Sequence, residues 1–401
     1  MARLSTQEVA RRLGVKPQTV YAYVSRGLLT SKRGPGGRSS TFDPKQVDTL
    51  AARHRRVDAD AIGTGITLID GDRYYYRGVD AIEMARRYPY EAVAGWLWTG
   101  TLVSGTRFVA PACAVQAARA AMQALPVHST LMDKLRVGVL AAATSDPLRF
   151  ELAEPVVVTT ARSMVATLVE SLPVLGLDAP AGASLAERLW SRLTPARPTE
   201  AAIRCLDAAL VLLIDHDLAA STLAARVAAS ARAHPYAVVS AGLGALEGPL
   251  HGAASGLAHR MLAECLDHGS AARVVADHLR SGRRIPGLGH RVYQGDDPRT
   301  TLLFSLLEDV PGAQQAVRMA REVVDTVGHE RALHANVDLA LAALSAATDM
   351  PPEAGEVIFA VARTAGWVAH ALEEYSERPL RMRRMGQYVG PSPPQPLPEP
   401  A

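Results

Sequence analysis

Near the C-terminal end of the chain, Val361, Ala365, Val368, Leu372 and Tyr375 recur at steps of three and four. Residues so spaced share one face of an α-helix, and an apolar face must be buried against something. Ala- and Leu-rich stretches of the same kind fill most of the chain, broken by Pro and Gly near residues 100–111, 146–155 and 173–200. Aromatic residues are 5% of the total and β-branched runs are few, so the expected class is mostly α. The 401 residues suffice for two or three domains around a large core. The most apolar run, AALVLLI, stops at Asp215 and is too short to span a bilayer. No signal peptide is expected after Arg3. Cys113, Cys205 and Cys265 are few and widely spaced, which fits a reducing cytoplasm and neither a disulfide framework nor a zinc site.

The first 57 residues have a different texture, with twelve Lys/Arg against three Asp/Glu, so the remainder is mildly acidic. Such a split suggests a basic nucleic-acid module on a neutral-to-acidic body. Ser5 precedes Glu8 in a capping-box pattern that starts a short helix, which Gly14 ends. Pro17 suits the first turn of a second helix, and Gly27 its stop. LLTSKRGPGGRSSTF reads as a Gly-rich wing, and DPKQVDTLAARHRR as a further capped helix. On Thr6–Ala10, Val15–Tyr23, Arg26–Leu28 and Arg38–Phe42 the segment resembles the MerR-like, excisionase-type winged helix-turn-helix family. Lys16, Gln18, Thr19, Tyr21, Tyr23 and Arg26 would face a DNA groove, with Lys32, Arg33 and Arg38 on phosphates. The alternative is a basic face used for packing or oligomerisation.

From Asp58 on, GTGITLIDGDRYYYRGVDAIEMA reads as two short strands around an Asp70-Gly71-Asp72 turn, then a helix. Three motif matches fail on physical grounds. GLGALEG, 242–248, has the wrong spacing for a dinucleotide loop and follows a helix where a strand is required. HERALH, 329–334, puts its histidines five apart, which does not place them on one helix face. Asp215-His216-Asp217 has no Cys/His cluster to complete a metal site.

Four stretches remain: 213–227, 248–262, 285–303 and 336–383. Each holds ionisable groups inside an apolar or glycine-rich frame. Singly, each also fits a satisfied core histidine or a surface ion pair. Together they supply three histidines, one carboxylate and several arginines. That set suits enolisation of a weak carbon acid beside an anionic acceptor: Asp as base, His as oxyanion donor, Arg as carboxylate fork.

PLHG, GHRVY…DPR, NVD and FAxARTxGWxAH…RP, together with LIDGDRYYYRGVDAIEMA, resemble the citrate synthase family over roughly residues 60–390. The resemblance implies condensation of acetyl-CoA or propionyl-CoA with oxaloacetate, giving citrate or 2-methylcitrate and CoA. Carried over by position, Asp338 matches the base that takes a proton from the acyl carbon. His251 matches the donor to the thioester oxygen, and His290 the donor to the 2-oxo acid carbonyl. His216, Arg299 and Arg363 match acceptor-binding groups, and Arg378 an arginine contributed across a homodimer interface. No metal or prosthetic group is implied, since CoA is a substrate. The implied layout is a large helical domain (58–252 and 356–390), a small mobile one (253–355), the winged helix-turn-helix (1–57) and a Pro-rich disordered tail (391–401).

The departures are Ala219 for a frequent Asn, Ala253 and Ser255 in LHGAAS, Ala335 for Pro, and Leu339–Ala342 after Asp338. The Lys often found upstream of Asn336 is missing, and Arg283, Arg284 or Arg331 would take over its CoA-phosphate contact. All seven matched residues are kept, which favours an active enzyme; the reading is a cytoplasmic, homodimeric citrate or 2-methylcitrate synthase-like one. The alternative is a transcription regulator whose synthase-like body senses oxaloacetate or acyl-CoA.

Overall fold

In the computed structural model, residues 4–13, 15, 17–25, 28–33, 40–47, 62–293, 295–331, 333–383, 386–392, 394–395 and 397 are described. The chain divides into two compact units, Met1–Gly63 and Thr64–Ala401.

In the first unit, β1 (Leu4–Ser5), α1 (Thr6–Leu13), α2 (Pro17–Ser25), β2 (Ser31–Arg33) and β3 (Ser40–Phe42) surround a small core. The capping box forms: Glu8 accepts from the Ser5 backbone at 2.7 Å, and Ser5 Oγ accepts from the Glu8 backbone at 3.3 Å. The three strands are antiparallel in the order β1-β3-β2, with Phe42 opposite both Leu4 and Ser31. Val9, Val20, Phe42 and Val47 are fully buried and hold helices and wing together. The expected third helix begins at Pro44, where Asp43 accepts from the Lys45 backbone at 2.9 Å; past Val47 it lies outside the described residues.

The second unit opens with the hairpin β4 (Thr67–Asp70) and β5 (Arg73–Tyr76), closed by Gly71 and Asp72. A third strand, β6 (Val79–Asp80), was not anticipated, being two residues long. Asp80 then caps the first helix of the body, accepting from the backbones of Ile82 and Glu83. That helix, α3 (Ala81–Arg87), is followed by α4 (Tyr90–Thr99), α5 (Ala112–Gln123), α6 (Leu131–Thr144), α7 (Glu154–Ser171), α8 (Leu185–Leu193) and α9 (Glu200–Leu213). Next come α10 (Ala220–Ser230), α11 (Pro235–Leu246), α12 (Ala254–His268) and α13 (Ala271–Arg280). The last four are α14 (Pro298–Leu307), α15 (Gln314–Arg331), α16 (Val337–Ala347) and α17 (Ala354–Ser376). The mostly α reading holds. One segment read as broken, 173–200, contains α8, which Ser184 and Glu187 start with a capping box.

The axis of the body is α17. Val361, Ala365 and Val368 are fully buried, while Leu372 and Tyr375 pack on the core from its edge. It touches α4, α7, α9, α10 and α11. Two glycines let it lie close. A Cβ at Gly366 would stand 2.0 Å from the Ile214 carbonyl oxygen, and one at Gly242 would stand 2.6 Å from the Trp367 ring. The rejected GLGALEG motif is therefore a helix surface thinned to receive a tryptophan. No described helix is long and apolar enough to cross a membrane.

Candidate active site

The glycine-rich stretch 286–290 is pinned to the start of α16. The Gly287 carbonyl accepts from the Asn336 backbone at 2.9 Å, and the Gly289 N–H donates to the His334 carbonyl at 2.8 Å. The Asn336 side chain donates to the Gly289 carbonyl at 2.9 Å and accepts from the Asp338 backbone at 3.0 Å, so one residue caps α16 and ties down the loop. Gly287 and Gly289 have φ of +80° and +81°, values that a side chain would strain. Asp338 thus sits in the first turn of a helix, where the macrodipole favours a carboxylate.

His290 follows the second glycine. Its Nδ1 accepts from the backbones of Val292 (3.0 Å) and Tyr293 (3.2 Å). A neutral imidazole that accepts on Nδ1 carries its proton on Nε2. Arg299 Nη2 lies 3.3 Å from that Nε2. Two donors this close want an acceptor between them, such as a carbonyl or carboxylate oxygen. Arg299 is nearly buried and forked onto Asp297 through Nε (2.9 Å) and Nη2 (2.7 Å); Asp297 also caps α14. His216, at the end of the turn after α9, stands edge-on to His290 with ring centres 5.2 Å apart, and its Nε2 meets the Tyr293 hydroxyl at 2.8 Å.

His251 is oriented from the opposite side. Trp367 Nε1–H donates to Ser221 Oγ at 3.3 Å, and Ser221 Oγ lies 2.7 Å from His251 Nε2. Indole is a donor only, so the serine hydroxyl accepts from Trp367 and donates to His251 Nε2. The His251 proton is thereby placed on Nδ1. Arg363 is almost fully buried: Nε donates to the Leu213 carbonyl at 2.8 Å, the guanidinium lies over Phe359 at 4.6 Å, and Nη1 has no partner. It forms no ion pair among the described residues. A buried cation with a spare N–H calls for an anionic ligand.

Behind these groups runs a buried polar chain. Asp215 accepts from Thr67 Oγ1 at 2.6 Å and lies 3.2 Å from His370 Nε2; His370 Nδ1 lies 2.5 Å from Arg226. Burial pushes the Asp215 carboxyl up, but His370, Arg363 and Thr67 outweigh it and hold it below the usual range. The fully buried Asp215 is thus a fixed negative charge behind Arg363.

Electrostatics sort the front groups by role. Burial lifts Asp338 to about 7, with Arg299 opposing and Asp297 and Glu356 assisting. Burial lowers His290 to about 4, helped by Arg299, and His251 to about 4, helped by Arg363. His216 is driven well below the ordinary value by burial, then by Arg299, His290 and Arg363. Near neutral pH the site therefore offers neutral imidazole donors, a carboxylate more basic than in water, and two permanent cations.

His216, His251, His290, Arg299, Asp338 and Arg363 all line one cavity of about 1130 Å³. Arg378 does not; it is exposed beyond the end of α17. Arg283 and Arg284 line the same cavity, and the Arg331 side chain lies outside the described residues. Sequence reasoning missed the supporting groups Asn336, Asp297, Ser221 and Tyr293. Tyr293, Asp297 and Asn336 stand inside the GHRVY, DPR and NVD motifs without a role read for them; Asp297 before Pro298 and Asn336 before a helix were legible as caps, whereas nothing local marked Ser221. Among the described residues no cluster suited to a metal ion occurs, at Asp215–Asp217 or elsewhere.

In the first unit, Gln18 and Tyr21 are exposed on α2 and Lys32 on β2. Thr19 is half-buried, and Tyr23 packs against the unit's core. Lys16, Arg26, Arg38 and the Arg33 side chain lie outside the described residues.

The sequence profile of citrate synthase, C-terminal domain, matches residues 57–384, and that of MerR family regulatory protein matches residues 5–39. A citrate synthase of Haloferax volcanii is 30% identical over 350 residues, covering 81% of this chain and 92% of its own. A 2-methylcitrate synthase of Shewanella oneidensis is 25% identical over 376 residues, covering 89% and 98%. Among solved structures, Thermotoga maritima citrate synthase superposes with a TM-score of 0.69 at 28% identity, covering 86% of this chain and 98% of its own. Thermoplasma acidophilum citrate synthase, in a ternary complex with carboxymethyl coenzyme A and oxaloacetate, gives 0.71 at 25% identity, covering 85% and 97%.

Proposed function

Since this chain belongs to the citrate synthase family and is an acyltransferase of that type, we propose that it condenses acetyl-CoA or propionyl-CoA with oxaloacetate. The observation that carries this reading is the meeting of a basic carboxylate, neutral imidazole donors and two buried arginines in one cavity. Asp338 takes a proton from the carbon next to the thioester while His251 Nδ1–H donates to the thioester oxygen, giving an enol. The enol carbon bonds to the carbonyl carbon of oxaloacetate as the enol O–H proton returns to His251 and the thioester carbonyl re-forms. The carbonyl oxygen is received by His290 Nε2–H beside Arg299, and Arg363, with His216 near, holds a carboxylate. Water then cleaves the thioester, releasing CoA and citrate or 2-methylcitrate. In this reading 253–355 closes on 58–252 and 356–390 to keep water out during condensation. Arg378 enters the site of a second copy, which makes the working form a homodimer. The test is CoA release from each thioester with oxaloacetate.

A second proposal rests on the MerR match to residues 5–39: the first unit binds duplex DNA. Gln18 would meet base edges, Lys32 and its basic neighbours phosphates. Selection from a random duplex library, then titration at two salt concentrations, tests it. A log–log salt slope of roughly −0.9 per phosphate neutralised is expected. With no enriched sequence and no salt-sensitive binding, the unit is a packing or oligomerisation arm. DNA binding modulated by oxaloacetate or acyl-CoA, with no CoA release, would favour the regulator over the enzyme.

A further inference from the structure

The segment after α17 is fastened more heavily than a surface turn requires. The Leu380 N–H donates to the carbonyl of Ser230, the last residue of α10, at 2.7 Å. Arg232 donates to the carbonyls of Glu374 (2.5 Å) and Glu377 (2.6 Å). Arg381 folds back onto the Glu374 carboxylate through Nε (2.8 Å) and Nη2 (2.6 Å). Glu374 is fully buried and is gripped from the other side by the fully buried Arg226 at 2.6 Å. The anchor is therefore held from two sides.

Two residues of this strap are strained. Arg232 and Leu380 have φ of +62° and +57°. Left-handed backbone is disfavoured for non-glycine residues and persists where surrounding bonds over-determine it. Between the fastenings stands Arg378, exposed and forming no ion pair among the described residues, although Glu373, Glu374 and Glu377 lie within five positions. Glu373 and Glu374 are spent on Arg226 and Arg381, and Glu377 acts on Arg381. The segment thus holds an exposed guanidinium, with no ion pair among the described residues, on a backbone fastened on both sides of it.

We propose that this strap, fastened through Arg232, Arg381 and Glu374, is a positioning device that presents Arg378 to a substrate carboxylate in the site of a second copy of this chain. The proposal rests on the cross-subunit reading of Arg378 given above. Arg232 and Arg381 touch no substrate in it; they fix where Arg378 points, and small misplacements of such a group cost large factors in rate or affinity.

The experiment uses full-length protein. Arg381→Ala homodimers are expected to show an oxaloacetate KM raised about ten- to a hundredfold. Their acyl-CoA KM and thermal midpoint should stay near wild type. Heterodimers of Arg381→Ala with Asp338→Ala subunits then locate the defect. Their one working site belongs to the Arg381→Ala copy and receives Arg378 from the copy with an intact strap, so its oxaloacetate KM should return to the wild-type value. A raised KM that persists in the heterodimer would overturn the proposal, because the strap would then serve its own subunit. An unchanged KM in the Arg381→Ala homodimer would overturn it as well. Should Arg381→Ala not fold, Arg232→Gln, which leaves Glu374 paired with Arg226 and Arg381, takes its place with the same expected outcomes. Arg378→Ala homodimers with unchanged oxaloacetate KM would remove the cross-subunit reading itself, and that failure is distinguishable from failure of the strap.

Discussion

Gly287 stands so close to Leu339 that a Cβ added to it would lie 2.8 Å from the Leu339 Cβ. That contact sets how near the His290 loop comes to the first turn of α16, and so, in the proposed reaction, how near the groups met by Asp338 and His290 are brought. Gly287→Ala meets both this clash and a φ of +80°. It should cost about 1–3 kcal/mol of stability, read by urea unfolding, and separately lower kcat of the folded variant by displacing the loop. Wild-type kcat in the folded variant would mean that the loop does not set the reacting geometry.

Arg363→Lys should weaken oxaloacetate binding about ten- to a hundredfold by calorimetry. Lysine keeps the charge but cannot both donate to the Leu213 carbonyl, as Nε does now, and offer the free N–H of Nη1 to a ligand. Unchanged affinity would remove Arg363 from the clamp.

The pH profile follows from Asp338 at about 7 and the two histidines at about 4. Only the ionised carboxylate abstracts a proton, and its fraction falls as pH drops through 7. The kcat/KM should therefore fall about tenfold per pH unit below that point. Stability has a separate window. His251 and His290 take up protons near 6.5 when unfolded but only near 4 when folded, so their share of the stability is lost as pH falls from 6.5 to 4, while Asp338, raised from 3.8 to about 7, works in the opposite sense between 7 and 3.8. Flat kcat/KM from pH 5 to 8 would contradict the assignment of the base.

Ser221→Ala removes the hydroxyl that passes the Trp367 donor on to His251 Nε2. The imidazole is then free to rotate and to carry its proton on either nitrogen. The kcat should drop about tenfold or more while the oxaloacetate Kd holds, since Ser221 faces the thioester donor and not the acceptor clamp. Stopped-flow turnover beside calorimetry separates the two.

Much of this was legible in the sequence because its causes are local. The face of α17, the capping box at Ser5 and Glu8, and the hairpin turn at Gly71 each depend on residues a few positions apart. The third hairpin strand was too short to leave a pattern, and α8 was masked by the Pro- and Gly-rich flanks of its segment. In the site, His251, His290, Asp338 and Arg363 stood out through their motifs. Their proton placement did not, because it depends on Ser221, Trp367 and the backbone of Val292, groups brought near only by folding. The Asp215–His370–Arg226 chain was hidden likewise: its members lie up to 155 positions apart and carry no signature beyond being polar.

The most direct measurement is CoA release by purified full-length protein given oxaloacetate with acetyl-CoA or propionyl-CoA, beside the Asp338→Ala variant. Wild-type protein should release CoA from at least one thioester in a strictly oxaloacetate-dependent way. The variant, folded but without its base, should fall roughly 10²–10⁴-fold. No release from either thioester by the wild type, or a wild-type rate in Asp338→Ala, would contradict the account.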